Sequence, residues 1–354
     1  MSPDLARLPE PDADLRRFCA VLARRPVDRV PLVELAVHPR IVDQLLDAQP
    51  SASPAENTRR TVRLLHRLGY DVVKISAAIP FQLQRVKAAA DAADPRARQW
   101  ANEHQGPIAT LADVQAYPWP RIETVDFGPL ETATDALPAG MGLIGFTGGV
   151  LEFAMDLVGM QPFLVAIRRN PDLVAAVIEH IGRTLLPIFE TYCQMEAVCA
   201  VWLGDDLGHK HGLLVSPDFV RRQLVPWYRR FADVAHRAGK SFLLHTCGNT
   251  ASVMPDLVNE VGIDAKHSFE DTIEPVEQFH DRWADKIAVL GGVDVHLLSS
   301  ATPAEVRRRT LEILEHVAPR GGYACGSGNS ITDYVPPENY LAMVQAVADF
   351  NDGK

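Results

Sequence analysis

The segment from residue 200 to residue 247 contains three consecutive pieces, AVWLGDD (200–206), SPDFVRRQLVPWYRRFADVAHRAG (216–239) and SFLLHTC (241–247). The first and third pieces are short and almost wholly apolar, which is the pattern of strands buried on both faces of a parallel sheet. The middle piece predicts a helix, because Ser216 suits an N-cap, Pro217 suits the first helical position and Gly239 suits the end. The segment therefore predicts a strand–helix–strand unit of a parallel sheet.

The same alternation recurs along the whole chain. Six further strand-like runs are separated by helical stretches, namely VPLVEL (30–35), YDVVKIS (70–76), GLIGFTG (142–148), IDAKHSF (263–269), IAVLGGV (287–293) and GYACGSG (322–328). With the two runs above they make eight, and eight such units most simply close into a (β/α)₈ barrel, a fold of the α/β class. We expect one TIM-barrel domain over residues 1–354, with a helical lead-in at 1–27 and an insertion at 77–140, after the second strand, placed to cover the barrel mouth.

Composition and charge limit the classes of function. Hydrophobic residues make up 47% of the 354 residues and charged residues 23%, which is an ordinary balance for a globular protein. The N-terminus carries acids and prolines where a signal peptide needs an apolar core, and no apolar run approaches the roughly 20 residues of a membrane helix. We therefore expect a cytoplasmic protein with no membrane partner. The net charge of −10 argues against a nucleic-acid partner.

Two residues at the end of the fifth predicted strand, His245 and Cys247, predict a metal site. They are two positions apart, so their side chains share one face of the strand. Cys325 ends the eighth predicted strand and Glu270 follows the sixth, and the carboxyl ends of barrel strands meet at one rim. An imidazole with two thiolates suits zinc better than magnesium or calcium, and Glu270 is a candidate fourth ligand that a substrate could displace. The alternative is that His245 is a hydrogen-bonded core residue and that the cysteines only pack.

Further polar residues at strand ends are candidates for substrate binding. Asp205 and Asp206 end the fourth strand and point to opposite faces, so only one of them is expected to reach the pocket. His209, in GHKHG (208–212), either meets an anionic thiol or lies in a solvated loop. Lys74 on the second strand and Asp294 after the seventh are expected to line the pocket. The sequence contains no phosphate loop or dinucleotide fingerprint.

Several motifs resemble a known superfamily over about residues 15 to 350. They are RRPVDRVP (24–31), GYDVVKIS (69–76), WLGDDLG (202–208), SPDFVRRQLVPWYRRF (216–231), HTCGN (245–249) and YACGSGN (323–329). The His-x-Cys … Cys pattern is similar to that of the corrinoid- and coenzyme M-dependent zinc methyltransferases of the uroporphyrinogen decarboxylase superfamily. The fold of that superfamily is a (β/α)₈ barrel, in agreement with the alternation of strands and helices.

The resemblance implies a methyltransferase in which zinc binds an acceptor thiol and presents it as a thiolate to an activated methyl group. It implies zinc ligation by His245, Cys247 and Cys325, completed by Glu270 or, failing that, Asp271. It also favours Asp206 over its neighbour, so that Asp206 and Glu270 are the expected catalytic residues. The methyl group would be carried by a corrinoid such as methylcobalamin, either free or on a partner protein, and superfamily members often form homodimers.

The chain departs from the decarboxylases of the same superfamily at two places. Those enzymes carry an arginine-rich segment after the first strand, where this chain has ELAVHPRIV (34–42) with only Arg40. They also carry a catalytic Asp just after the second strand, where this chain has Ala77. A uroporphyrinogen decarboxylase-like carboxy-lyase is therefore the first alternative, and a zinc barrel with a structural or ligand-sensing role and no turnover is the second.

Overall fold

Seven parallel strands form one curled sheet at the centre of the molecule. The computed structural model describes residue 5, residues 8–87 and residues 99–353. Its strands are β1 (Val72–Ser76), β2 (Arg85–Lys87), β3 (Gln99–Ala101), β4 (Gly142–Gly148), β5 (Val198–Gly204), β6 (Gly208–His209), β7 (Gly212–Leu213), β8 (Ser241–His245), β9 (Ala265–His267), β10 (Ala288–Leu290) and β11 (Tyr323–Ala324). The sheet order is β1-β4-β5-β8-β9-β10-β11, and every neighbouring pair is parallel.

Helices connect and surround these strands. They are α1 (Leu15–Leu22), α2 (Pro39–Leu46), α3 (Pro54–Arg67), α4 (Leu111–Ala116), α5 (Gly128–Ala136), α6 (Val150–Val158), α7 (Met160–Arg169), α8 (Pro171–Gln194), α9 (Pro217–Phe219), α10 (Val225–Arg237), α11 (Met254–Asp256), α12 (Val276–Trp283), α13 (Val295–Ser300), α14 (Pro303–Val317) and α15 (Pro337–Asn351). Short π-helical turns follow α9 and α11, and 3₁₀ turns occupy Ile122–Thr124 and Ala318–Arg320.

The eighth position of the barrel is occupied by the first predicted strand, 30–35, which pairs with β11 through one parallel bridge between Leu32 and Cys325. The Val33 N–H donates to the Cys325 carbonyl and the Cys325 N–H donates to the Pro31 carbonyl, each at 2.8 Å. Pro31 has no N–H to donate, so it cannot extend the ladder. The prediction of a (β/α)₈ barrel is confirmed, with this strand shortened to a bridge.

Side chains pointing inward fill the barrel as a separate core. Trp202 on β5 is fully buried there, and small residues on other strands leave room for it. This inner core comprises Val33, Leu35, Val72, Ile144, Ala200, Trp202, Leu243, Ala265, Ala288, Leu290 and Ala324, together with Phe18, Val21 and Leu22 of α1. The lead-in predicted at residues 1–27 therefore contains a helix whose apolar face joins the inner core of the barrel.

The predicted insertion at 77–140 divides into two parts. Helix α5 packs against α3, β1 and β4, so it belongs to the outer ring of barrel helices. The segment added to the barrel is shorter than predicted and runs from Ala78 to Asp126. Two hydrogen bonds join its ends, from the Ala78 N–H to the Asp126 carbonyl at 2.9 Å and from the Asp126 N–H to the Ala78 carbonyl at 3.0 Å. It contains the antiparallel pair β2–β3 and helix α4. Residues 88–98 of the predicted insertion lie outside the described residues.

None of the helices in the described part of the chain is both long and apolar enough to cross a membrane by itself. Helices α6 and α7 pass the same test of length and composition only as a pair, and they are bent by 99° relative to each other.

We expect the substitution Phe18→Ala to lower the free energy of unfolding by about 3–5 kcal/mol, because it empties a buried site in the inner core. Urea unfolding followed by circular dichroism measures the effect. Arg16→Ala on the same helix is the control, since its side chain is 91% exposed, and it should leave the free energy of unfolding nearly unchanged. Equal effects of the two substitutions would contradict a role for α1 in the core.

Candidate metal centre

The pairing of three neighbouring strands brings the candidate residues to one rim. His245 is the last residue of β8, and it lies opposite Gly204 of β5 on one side and His267 of β9 on the other. The ladder continues past the strand ends, because the Asp205 N–H donates to the His245 carbonyl at 2.9 Å and the Thr246 N–H donates to the His267 carbonyl at 3.2 Å. The residues that follow β5, β8 and β9 therefore lie side by side.

Asp206, His245 and Cys247 form a group that could hold a metal ion. One ligand atom from each lies within 4.8 Å of the other two. His245 Nε2 is 3.5 Å from Asp206 Oδ1 and 3.5 Å from Cys247 Sγ, and the Cys247 N–H donates to Asp206 Oδ1 at 2.9 Å. Imidazole, thiolate and carboxylate are all zinc ligands, and three protein ligands leave a fourth position for a substrate. The donor set therefore fits zinc.

The Cys247 thiol is surrounded by hydrogen-bond donors, but its pKa is raised, so it stays protonated in the absence of a cation. Burial, and then the charge of Asp206, raise the pKa of Cys247 well above that of a free thiol. The Ser268 hydroxyl donates to its sulfur at 3.4 Å and the Asn329 side-chain amide donates at 3.2 Å. These donors stabilise a thiolate, and a bound cation would supply the remaining stabilisation.

Ser268 adopts an unusual backbone conformation beside this thiol. Its φ is 92°, a region that residues with side chains seldom adopt, and the Lys266 ammonium donates to its carbonyl at 2.6 Å. Burial lowers the pKa of Lys266 to about 8. Strained backbone of this kind is retained where the surroundings enforce it, often at functional sites. The sequence offered no signal for this strain.

The two adjacent aspartates have separate roles. Asp205 is fully buried, and its carboxylate accepts the N–H groups of Leu151 and Glu152, each at 2.9 Å, and the Tyr228 hydroxyl. It therefore holds the first turn of α6 against the end of β5. Asp206 points the other way, into the group with His245 and Cys247.

Glu152, in the first turn of α6, is a further carboxyl near the group. Burial, followed by the charges of Asp206 and Asp205, raises the pKa of Glu152 well above its ordinary value. Burial and the neighbouring charges therefore favour the protonated form of Glu152. Sequence analysis did not select Glu152, although its position just after the third predicted strand is a rim position.

Cys325 is not brought into the metal group. Side chains alternate along a strand, and Ala324 belongs to the inner core whereas Tyr323 and Cys325 belong to the outer core between sheet and helices. Cys325 is fully buried, and burial raises its pKa to about 12. Of the predicted ligands His245, Cys247 and Cys325, the structure brings the first two together, with Asp206 beside them, and places Cys325 on the other face of its strand.

The other three predicted carboxylates, Glu270, Asp271 and Asp294, lie near the rim but outside this group. Glu270 is exposed, and its pKa is raised by partial burial and by the charges of Asp294 and Asp206. Asp271, the fallback ligand, is paired with Arg309 at 3.3 Å. Both oxygens of Asp294 accept backbone N–H groups at 2.7 Å, from Asp271 and from His296, so Asp294 caps α13 and fixes the adjoining loop.

Lys74 and His209 occupy different environments. The Lys74 ammonium lies 4.2 Å from the centre of the Phe146 ring, and burial lowers its pKa to about 8. Its charge contributes to lowering the pKa of His245, so the two side chains share the barrel interior. The His209 side chain is exposed beside His211, and the backbone carbonyl of His209 accepts the Asn249 N–H at 2.9 Å. His209 therefore supports the HTCGN loop through its backbone.

A cleft of about 770 Å³ opens next to this rim. Asn329, which donates to Cys247, is part of its wall, and Glu270 and Asp294 also line it. The remaining lining residues are His38, Pro39, Phe269, Val295, His296, Ser299, Ser330, Thr332, Asp333 and Tyr334. A second cavity of about 450 Å³ lies between the added segment and β4, where Phe81 and Phe153 pack together.

Titratable side chains at the carboxyl rim of a (β/α)₈ barrel, beside a cleft, are the arrangement found in barrel enzymes. The uroporphyrinogen decarboxylase (URO-D) family model matches residues 14–350, and the chain belongs to that family. A uroporphyrinogen decarboxylase of Coxiella burnetii is 24% identical over 358 residues, with 95% of each chain covered. One from Geobacter sp. strain M21 is 28% identical over 253 residues, covering 68% of this chain and 70% of the relative.

Solved structures share the fold. A methyltransferase from Methanosarcina mazei superposes with a TM-score of 0.73 at 18% identity, covering 96% of this chain and 99% of the other. A putative vitamin-B12-independent methionine synthase from Listeria monocytogenes superposes with a TM-score of 0.50 at 11% identity, covering 92% and 98%. At these identities the likeness establishes the barrel and its topology.

Zinc content per chain distinguishes the two cysteines. We expect Cys247→Ala to lose stoichiometric zinc, because it removes one of three converging ligands, and Cys325→Ala to keep it, because that thiol faces the outer core. Atomic absorption on dialysed, folded protein measures both. Loss of zinc in both variants would return Cys325 to the ligand set, and folded wild-type protein without zinc would contradict the metal centre.

Proposed function

We propose that the chain is a zinc-dependent methyl- or alkyltransferase that activates a thiol acceptor, with a corrinoid, free or on a partner protein, as the methyl carrier. The observation that carries the proposal is the convergence of Asp206, His245 and Cys247 within 4.8 Å at the rim of the barrel. A thiolate-containing zinc site with an open position is suited to holding a second thiol.

Zinc, when bound, supplies the positive charge that lowers the pKa of an acceptor thiol. The protein residues supply the remainder of the chemistry. Asp206, His245 and Cys247 hold the ion, and the proton of the acceptor thiol is released to solvent. The acceptor sulfur then attacks the methyl carbon, and the bond between that carbon and its donor breaks with the electron pair remaining on the donor. Each transfer therefore consumes one thiol and releases one proton.

The cleft of 770 Å³ is the proposed acceptor site. Asn329 connects the cleft to the metal group, since it lines the cleft and donates to Cys247 at 3.2 Å. Glu270, at the edge of the same cleft, is the proposed ligand that completes the metal shell in the absence of acceptor, which requires its exposed side chain to turn inward. Lys74 and Asp294 are proposed to contact the substrate from the interior and from the rim.

Porphyrinogen decarboxylation is the second candidate, and the names of the relatives in Coxiella and Geobacter favour it. The cleft argues against it. Uroporphyrinogen has eight carboxylates, yet among the described residues none that lines the 770 Å³ cleft is a lysine or an arginine. Arg40 pairs with Asp333 at 3.4 Å, and Ala77, near the position of the expected Asp, is buried with its N–H donating to the Tyr192 hydroxyl.

Incubating zinc-loaded protein with methylcobalamin and a panel of thiols tests the proposal. We expect a thioether product, and we expect Asp206→Ala to reduce its formation by at least 100-fold because one of the three converging metal ligands is lost. Mass spectrometry detects the product. Metal-independent release of carbon dioxide from uroporphyrinogen would establish the decarboxylase instead, and bound zinc without turnover of either substrate would support a non-catalytic zinc barrel.

A further inference from the structure

Two buried histidines share a short contact behind the metal group. His245 Nδ1 is 2.7 Å from His267 Nδ1, and His267 Nε2 is 3.1 Å from the carbonyl oxygen of Ser327. Both side chains are at most 6% exposed. On the other side of its ring, His245 presents Nε2 to Cys247 and Asp206. The contacts thus form a line from a backbone carbonyl to the metal group.

The direction of each hydrogen bond follows from elementary chemistry. A carbonyl oxygen only accepts, so His267 Nε2 must carry a hydrogen. A buried imidazolium without a carboxylate partner is costly, and the described contacts of the His267 ring are His245, the Ser327 carbonyl and Trp202, so the ring is neutral and its Nδ1 is a bare acceptor. His245 Nδ1 must then carry the single hydrogen of its own ring, because two bare nitrogens would repel at 2.7 Å. His245 Nε2 is consequently left with a free lone pair.

We infer that His267 is a positioning residue that fixes the tautomer and the ring plane of His245, so that the Nε2 lone pair is presented to the metal. The inference rests on the proposed metal centre for its purpose, although the tautomer itself is a property of the metal-free protein. Outer partners of this kind orient metal-bound histidines and raise their affinity for the metal.

The Ser327 end of this line of contacts is held by Glu34, on the first predicted strand. Ser327 donates its N–H to Glu34 Oε1 at 2.9 Å and its hydroxyl to Glu34 Oε2 at 2.6 Å, and Glu34 is 5% exposed. These two hydrogen bonds fix the position of Ser327, whose carbonyl accepts from His267. Glu34 belongs to the first predicted strand, so the segment that completes the barrel also orients the ligand on β8.

Gly291 makes the approach of these groups possible. A Cβ atom at this position would lie 2.3 Å from the Ser327 carbonyl oxygen and 2.8 Å from His267 Nε2. Its φ of 77° also lies in the region that favours glycine. The edge of the His267 ring meets Trp202 with 5.2 Å between ring centres, so packing holds the ring plane on a further side.

Two substitutions of the same residue separate hydrogen bonding from packing. His267→Leu keeps an apolar volume but removes the acceptor for His245 Nδ1, whereas His267→Asn keeps an amide oxygen at about the position of His267 Nδ1. We expect zinc affinity to fall about 10- to 100-fold in the Leu variant and to be largely recovered in the Asn variant. Competition with a chelator measures affinity, and the charge-transfer and d–d bands of the cobalt-substituted protein report whether the ligand geometry changes.

His280→Leu is the matched control. His280 is also fully buried, and its Nε2 contacts the Gly321 carbonyl at 2.9 Å, but it lies on α12, away from the metal group. This substitution should lower the unfolding midpoint while leaving zinc affinity and the cobalt spectrum unchanged. If His267→Leu also left affinity and spectrum unchanged, the inference would be overturned.

The tautomer can be measured without metal, which separates this inference from the proposed function. In metal-free protein labelled with ¹⁵N-histidine, long-range ¹H–¹⁵N correlation should show His245 protonated at Nδ1 in the wild type and a mixture of tautomers in His267→Leu. A His245 protonated at Nε2 in the wild type would overturn the inference even if zinc binds. If the wild-type protein binds no zinc but shows the Nδ1–H tautomer, the proposed metal centre would be wrong and the tautomer assignment would still hold.

Discussion

The parallel pairing of β5, β8 and β9 is the constraint on which the site depends. Gly204, His245 and His267 lie in one register across the three strands, and the hydrogen bonds that continue past the strand ends carry Asp206, Cys247 and Ser268 to the same level. A shift of one residue in either pairing would turn the corresponding side chains to the opposite face of the sheet. The glycine at position 204 matters as well, because a Cβ atom there would lie 2.5 Å from the Phe146 ring of the neighbouring strand β4.

The rim assembled in this way has an excess of electron-pair donors. A neutral imidazole, a thiol and a carboxylate point at one another, with a second carboxyl behind them. Buried polar groups without a compensating partner cost free energy, and the usual remedies are protonation or a bound cation. The raised pKa values of Cys247 and Glu152 are the first remedy, and a zinc ion would be the second. Lys74 and Lys266 supply some positive charge nearby, but the former faces Phe146 and the latter is engaged with Ser268.

The barrel was predictable because strands buried on both faces leave an unmistakable apolar run, whereas the exact site was only partly so. His245 and Cys247 share a face by simple alternation, and the structure places both in the metal group with Asp206. The structure does not place Cys325 with them, and nothing in the sequence fixes which of the two alternating faces of the strand this residue takes. His267 and Ser268 were missed since their importance comes from neighbours across the sheet and from a backbone angle, neither of which composition or spacing encodes.

Helix α1 has a consequence for how reactants would meet. Its Phe18, Val21 and Leu22 side chains belong to the same apolar core as the barrel interior, so α1 closes the amino-terminal end of the barrel. In the proposed transferase, acceptor and methyl donor would then both enter through the opening at the opposite rim. A small thiol bound in the cleft would leave that opening accessible to a bulky donor, whereas a bulky donor bound first would block the thiol. The architecture therefore favours a compulsory order in which the small reactant enters first and the large one departs first.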